Sequence, residues 1–99
     1  MHLLDNLYTV LETTQNSYKI QLTNENHPVF KAHFPNMPIL PGFLQIDIAQ
    51  QLLNTSFTKL NKAKFIKPVE PNAILDYVCK NNKIIIKNDT LKISEFTYE

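Results

Sequence analysis

The sequence predicts an α+β fold in which an antiparallel β-sheet wraps around one long helix. Three observations carry this reading. Two stretches of period-2 patterning near the start flank a turn-rich segment. A long middle segment is apolar on nearly every side at helical spacing, and three further strand-like runs joined by Asn-rich turns close the chain.

Leu7, Thr9 and Leu11 alternate along the first run, and Tyr18, Ile20 and Leu22 along the second. The cluster Thr13-Thr14-Gln15-Asn16-Ser17 between them is turn chemistry, so the pair is expected to form a hairpin. From His27 to Pro41 the prolines at 28, 35, 38 and 41 are expected to forbid a helix and leave an ordered, irregular loop. Pro41 suits the first turn of the helix that follows, because a missing N–H costs nothing there.

The helix is expected over about Gly42 to Leu60. Phe43, Ile46, Ala49 or Gln50, Leu53, Phe57 and Leu60 form one stripe at helical spacing, and Leu44, Ile48 and Leu52 form a second, apolar one. A helix apolar nearly all round belongs in a core. Its polar remainder, Asp47, Gln51, Asn54 and Thr58, falls on one face. The lysine-rich stretch from Asn61 to Lys67 reads as a basic loop, followed by a turn at Pro68 to Asn72. Ala73–Cys79, Lys83–Lys87 and Leu91–Tyr98 read as strands joined through Asn81-Asn82 and Asn88-Asp89.

A chain of 99 residues is the size of a single domain, expected to span residues 1–99. With 43% hydrophobic and 19% charged residues it has globular rather than disordered composition. A net charge of +1 excludes a surface built wholly for nucleic acid or membrane binding. There is no apolar run of the ~18 residues needed to span a bilayer, and the start lacks a signal-peptide pattern, so a cytoplasmic location is expected. The lone Cys79 allows neither an intrachain disulfide nor a Cys-based zinc site, and no metal is expected. So short a chain gains from burying further surface in a dimer.

His2 and His27 read as surface residues. His33, inside the proline-rich loop beside Phe34, is the histidine that the chain holds in place; the spacing allows either a structural or a chemical role. Asp47 is a carboxylate on a mostly apolar helix, which costs several kcal/mol to bury ionised without a partner. It either faces a solvated gap or serves as an acid that desolvation helps to keep its proton. A histidine base and a carboxylic acid in one apolar cleft could remove water from a β-hydroxy carbonyl compound. Gly42 is either a turn glycine or the source of an N–H aimed at a polarised carbonyl.

The run from His33 to Asp47, His-Phe-Pro-Asn-Met-Pro-Ile-Leu-Pro-Gly-Phe-Leu-Gln-Ile-Asp, resembles the signature of the β-hydroxyacyl-acyl-carrier-protein dehydratases. Gln51 falls where that family has a helix glutamine, and the likeness extends from about residue 6 to 76. The resemblance implies the hotdog fold, a homodimer or an oligomer of dimers, and active sites at the interface where His33 of one subunit meets Asp47 of the other. It implies that His33 takes the α-proton of a 3-hydroxyacyl thioester and that Asp47 protonates or orients the departing hydroxyl. It further implies that the Gly42 N–H binds the thioester carbonyl and that Gln51 supports Asp47. Phe34, Leu40 and Phe43 would line the acyl tunnel. No cofactor is implied beyond the phosphopantetheine of the acyl carrier protein that carries the substrate. Lys59, Lys62, Lys64 and Lys67 suit docking of that acidic carrier, or form a solvated basic loop.

Some positions depart from the family. Asp47 stands where one branch has Glu and another has Asp, and Ala32 and Asn36 stand where glycines are usual. The segment before the first strand is shorter than usual, so part of the tunnel wall is expected to be missing or supplied by a partner. A compact, specialised relative of the fatty-acid enzyme is the expectation. Two other functions fit a hotdog fold: thioester hydrolysis, and a non-catalytic acyl-carrier or acyl-chain binding module or heterodimer subunit.

Overall fold

The computed structural model describes residues 3–32 and 36–99. The elements run β1 (Tyr8–Thr13), β2 (Ser17–Leu22), α1 (Pro28–Ala32), α2 (Gly42–Leu53), β3 (Leu60–Phe65), β4 (Ile74–Lys80), β5 (Lys83–Asn88) and β6 (Leu91–Tyr98). The strands pair antiparallel in the order β1-β2-β4-β5-β6-β3, which leaves β1 and β3 at the two edges.

Alternation decides which face of the sheet meets the helix. Ile20 pairs with Leu75, Tyr77 with Ile86 and Ile84 with Phe96, and all six of these side chains are buried in the core. Leu44, Ile46, Ile48 and Ala49 of α2 fill the same core from the other side. The opposite face of the sheet carries Lys19, Asp76, Lys83, Glu95, Lys62 and Lys64, in register across the strands.

The expected hairpin is present, and its turn is closed by hydrogen bonds from the Asn16 and Ser17 N–H groups to Thr14 Oγ1. The three late strands are also where the patterning puts them. Asn81 and Asn82 both take the left-handed backbone that a tight hairpin requires, with φ of 51° and 59°. At the next turn Asp89 has φ of 56°, but Asn88 still pairs with Leu91, so the turn is centred one residue later than expected.

Three expectations are corrected. First, α2 ends at Leu53, seven residues short of Leu60. Asn54 adopts the left-handed conformation (φ 53°, ψ 47°) and the chain turns back there, with Thr55 N–H bonded to Gln50 O at 3.0 Å. Phe57 continues the apolar spacing for another reason. Its ring stacks on Tyr98 at 4.0 Å and tilts against Phe96 at 6.1 Å, so it packs on the sheet.

Second, the lysine-rich stretch is edge strand β3 rather than a loop. Lys62 and Lys64 alternate with Ala63 and Phe65, and all six strand residues are exposed. Lysine on an edge strand is a common guard against unwanted strand pairing.

Third, the proline-rich segment holds a helix after all. Pro28 occupies the first position of α1, where its missing N–H is harmless. His27 caps it: Nε2 donates to Asp5 O at 2.7 Å, and Nδ1 accepts the Val29 N–H at 3.1 Å. His27 is thus a partly exposed residue, as expected, that also caps α1.

Candidate active site

Asp47 lies midway along α2 and is half-buried. It opens onto a cleft of about 440 Å³ lined also by Leu4, Gln50, Gln51, Asn54, Thr55 and Ser56. The polar helix face expected from the spacing therefore exists for Asp47, Gln51 and Asn54. Thr58 does not belong to it. That residue lies beyond the helix, where its Oγ1 donates to Glu99 O at 2.9 Å.

The support for Asp47 comes from a neighbour of the expected residue. Gln50 Nε2 donates to Asp47 Oδ1 at 3.3 Å, across an i, i+3 step on one helix face. Gln51 shares the cleft, but its Oε1 accepts the Tyr8 hydroxyl at 2.5 Å. Burial raises the Tyr8 phenol above its ordinary value, so it stays a protonated donor.

At the other end of α2, Gly42 is the first helical residue. The reason for glycine is space, since its φ is not positive. A Cβ there would come within 2.7–2.9 Å of the Phe65 ring, so the edge strand reaches over the helix N-terminus. Near it, Leu40 is buried (2% exposed) and Phe43 is exposed (54%), so these two proposed tunnel residues occupy different environments in the single chain. His33 and Phe34 lie outside the described residues.

Gln45 is a buried polar residue that the sequence reading passed over. It accepts Ser94 Oγ–H at 2.7 Å, and its backbone carbonyl accepts the Tyr77 hydroxyl at 3.0 Å. These bonds dock α2 onto β4 and β6 and fix the helix that carries Asp47. A polar residue between Leu44 and Ile46, on a helix otherwise apolar on that side, was the available signal.

The basic patch divides. Lys62 and Lys64 line a cavity of about 220 Å³ with Lys83, Glu95, Phe96 and Thr97. Lys59 and Lys67 flank the strand, each with its backbone N–H bonded to a neighbouring chain segment. Lys83, which the sequence reading did not single out, pairs with Glu95 at 2.9 Å. Lys62 and Lys64 point to the face of the sheet opposite α2, at its edge.

Among the described residues there is no cluster of three or more potential metal ligands, and no helix is long and apolar enough to cross a membrane.

A sheet curled around one helix, with a carboxylate at the helix midpoint opening into a polar cleft, defines a hotdog-fold protein. Residues 10–98 match the ApeI-like family, described as ApeI dehydratase, and the chain belongs to that family. Among curated proteins it is similar to the 3-hydroxyacyl-[acyl-carrier-protein] dehydratase FabZ of Novosphingobium aromaticivorans, at 30% identity covering 67% of this chain and 51% of that protein. It resembles FabZ of Fusobacterium nucleatum at 33% identity, covering 74% and 58%. The chain thus spans about half the length of the curated relatives it matches. Among solved structures, the dehydratase heterocomplex ApeI:P from Xenorhabdus doucetiae matches with a TM-score of 0.70 at 24% identity, covering 92% of each chain. An uncharacterized protein from Erwinia carotovora subsp. atroseptica matches with a TM-score of 0.59 at 18% identity.

Proposed function

We propose that this protein dehydrates 3-hydroxyacyl thioesters carried on the phosphopantetheine of an acyl carrier protein, forming trans-2-enoyl thioesters. The observation that carries the reading is Asp47, held by Gln50 at the mouth of a polar cleft on the central helix. In this mechanism His33 of a second subunit takes the α-proton. The C–O bond at the β-carbon breaks as Asp47 gives its proton to the departing hydroxyl, which leaves as water. The electron pair of the broken C–H bond becomes the C2–C3 double bond. The helix N-terminus at Gly42 supplies positive potential for the thioester oxygen as enolate character develops. Gln51 presents its amide to the same cleft, and Phe34, Leu40 and Phe43 contribute the acyl-chain contacts.

Assembly into a homodimer, or an oligomer of dimers, is part of the proposal. Support comes from edge strand β3, whose Leu60 and Phe65, with the adjoining Ile66, are 42%, 48% and 51% exposed. Lys59, Lys62, Lys64 and Lys67 border that edge and would draw in an acidic carrier protein.

An ultraviolet assay of 3-hydroxyacyl and enoyl thioester interconversion on carrier protein tests the reading. Reversible turnover lost in both His33→Ala and Asp47→Asn is the expected result. Absence of interconversion across chain lengths by an intact dimer would overturn it in favour of an acyl-binding module or a heterodimer subunit. Release of free acid and thiol would instead identify a thioesterase.

A further inference from the structure

We infer that Gln50 is the positioning residue of Asp47, and that it is anchored from the far side by the backbone of Phe57. The inference rests on Asp47 being the acid proposed above.

The orientation of the Gln50 amide follows from donor and acceptor chemistry. The Phe57 N–H lies 2.8 Å from Gln50 Oε1, and a backbone N–H can only donate. The atom facing Phe57 is therefore the carbonyl oxygen, and the opposite end of the amide is the NH2 group. That group lies 3.3 Å from Asp47 Oδ1. Gln51 differs, because its Oε1 accepts the hydroxyl of Tyr8 on β1.

The anchor itself is held independently of the helix. The Phe57 ring stacks on Tyr98, and the next residue, Thr58, bonds the Glu99 carbonyl through both its N–H (2.6 Å) and its Oγ1 (2.9 Å). The left-handed turn at Asn54 returns the chain to the helix it has just left. A relay results, from β6 through Phe57 and Gln50 to the carboxyl group of Asp47.

When Asp47 passes its proton to a leaving hydroxyl, negative charge appears on its carboxylate. A donor already aimed at Oδ1 stabilises that charge without reorganisation and leaves Oδ2 for the substrate. Gln50 thus acts on the chemical step while the substrate touches Asp47.

Gln50→Glu and Gln50→Met separate this role from a merely structural one. Glutamate keeps an oxygen for the Phe57 N–H but cannot donate to Asp47 when ionised, whereas methionine loses both bonds. Both variants are expected to lower kcat at least about tenfold with KM within about twofold. Thermal midpoints should stay near wild type in Gln50→Glu and fall by about 4–8 °C in Gln50→Met. Wild-type kcat in Gln50→Glu, with Asp47→Asn inactive, overturns the inference and leaves the acid role of Asp47 standing. Wild-type turnover in Asp47→Asn overturns both. Should the wild-type protein show no turnover, the proposed function fails, and the 13Cγ resonance of Asp47 decides the contact. Displacement of that resonance in Gln50→Met supports the contact, and an unmoved resonance in both variants overturns it.

Discussion

Ser94 on β6 donates its hydroxyl hydrogen to Gln45 Oε1 on α2 at 2.7 Å, and both residues are almost wholly buried. An amide oxygen taken out of water needs such a donor, and losing it costs about 1–3 kcal/mol. Gln45 Nε2 makes only a long contact, at 3.5 Å, with Leu40 O. The short Ser94 bond is therefore the stronger of the two contacts that the Gln45 amide makes. Ser94→Ala is expected to lower unfolding free energy by about 1–3 kcal/mol in urea titration. Combining it with Gln45→Met should recover part of the loss, because both polar partners are then gone. If the double variant is as unstable as the sum of the singles, the bond is not the source of the stability.

Tyr77 makes the second tie, from its hydroxyl to Gln45 O. Burial holds its phenol well above the ordinary value of 10.0, and nearby Tyr8 adds to the shift. The unfolded chain therefore ionises first as pH rises. The contribution of this group is full below about pH 10 and is lost above it. Tyr77→Phe should be less stable near neutrality by about 1–3 kcal/mol, with a flatter decline above pH 10 followed by circular dichroism.

Glu95 sits between Lys83 at 2.9 Å and Lys92 at 3.1 Å. Hydrogen bonds from Lys83 and then Lys92 pull its carboxyl from 4.5 down to about 2. A lowered folded value means that the stabilisation is present above about pH 4.5 and is lost as pH falls towards 2. Glu95→Gln should flatten the dependence of the thermal midpoint on pH across that window. An unchanged slope would show that the lysines do not hold the carboxylate in solution.

Asn54 ends α2 with φ of 53°, a backbone that β-carbon sterics disfavour by about 1–2 kcal/mol in most residues. Asn54→Ala should destabilise by about 1 kcal/mol, whereas Asn54→Gly should be neutral or better. Because the turn also returns Phe57 to Gln50, Asn54→Ala is expected to reduce turnover as well, measured by the thioester assay.

Gly42 and Phe65 are in contact across the helix N-terminus, and a Cβ at 42 would meet the ring at 2.7–2.9 Å. The ring end is half-exposed and able to shift, so Gly42→Ala should cost little stability yet displace Phe65. Loss of activity in Gly42→Ala that Phe65→Ala fails to relieve would assign the effect to the helix N-terminus itself.

Much of this protein was legible in the residues alone. Period-2 runs, the apolar girth of the helix and the Asn-rich turns are local patterns, and they specify the sheet-around-helix fold because burial and backbone geometry act at short range. Asp47 stood out for a similar reason, being a carboxylate among aliphatic neighbours.

What the tertiary structure alone decided lies wherever a residue's partner is distant in sequence. Helical spacing at Phe57 and Leu60 continued past Asn54, but Phe57 found Tyr98, 41 positions further on, and the chain left the helix. Four closely spaced lysines read as a loop until β6 supplied the ladder that put two of them, Lys62 and Lys64, in an edge strand. Gln50 and Gln51 are indistinguishable by type, yet a 100° turn per residue sends one towards Asp47 and the other towards Tyr8. A sequence shows which groups must be satisfied, and the folded chain determines which neighbour satisfies them.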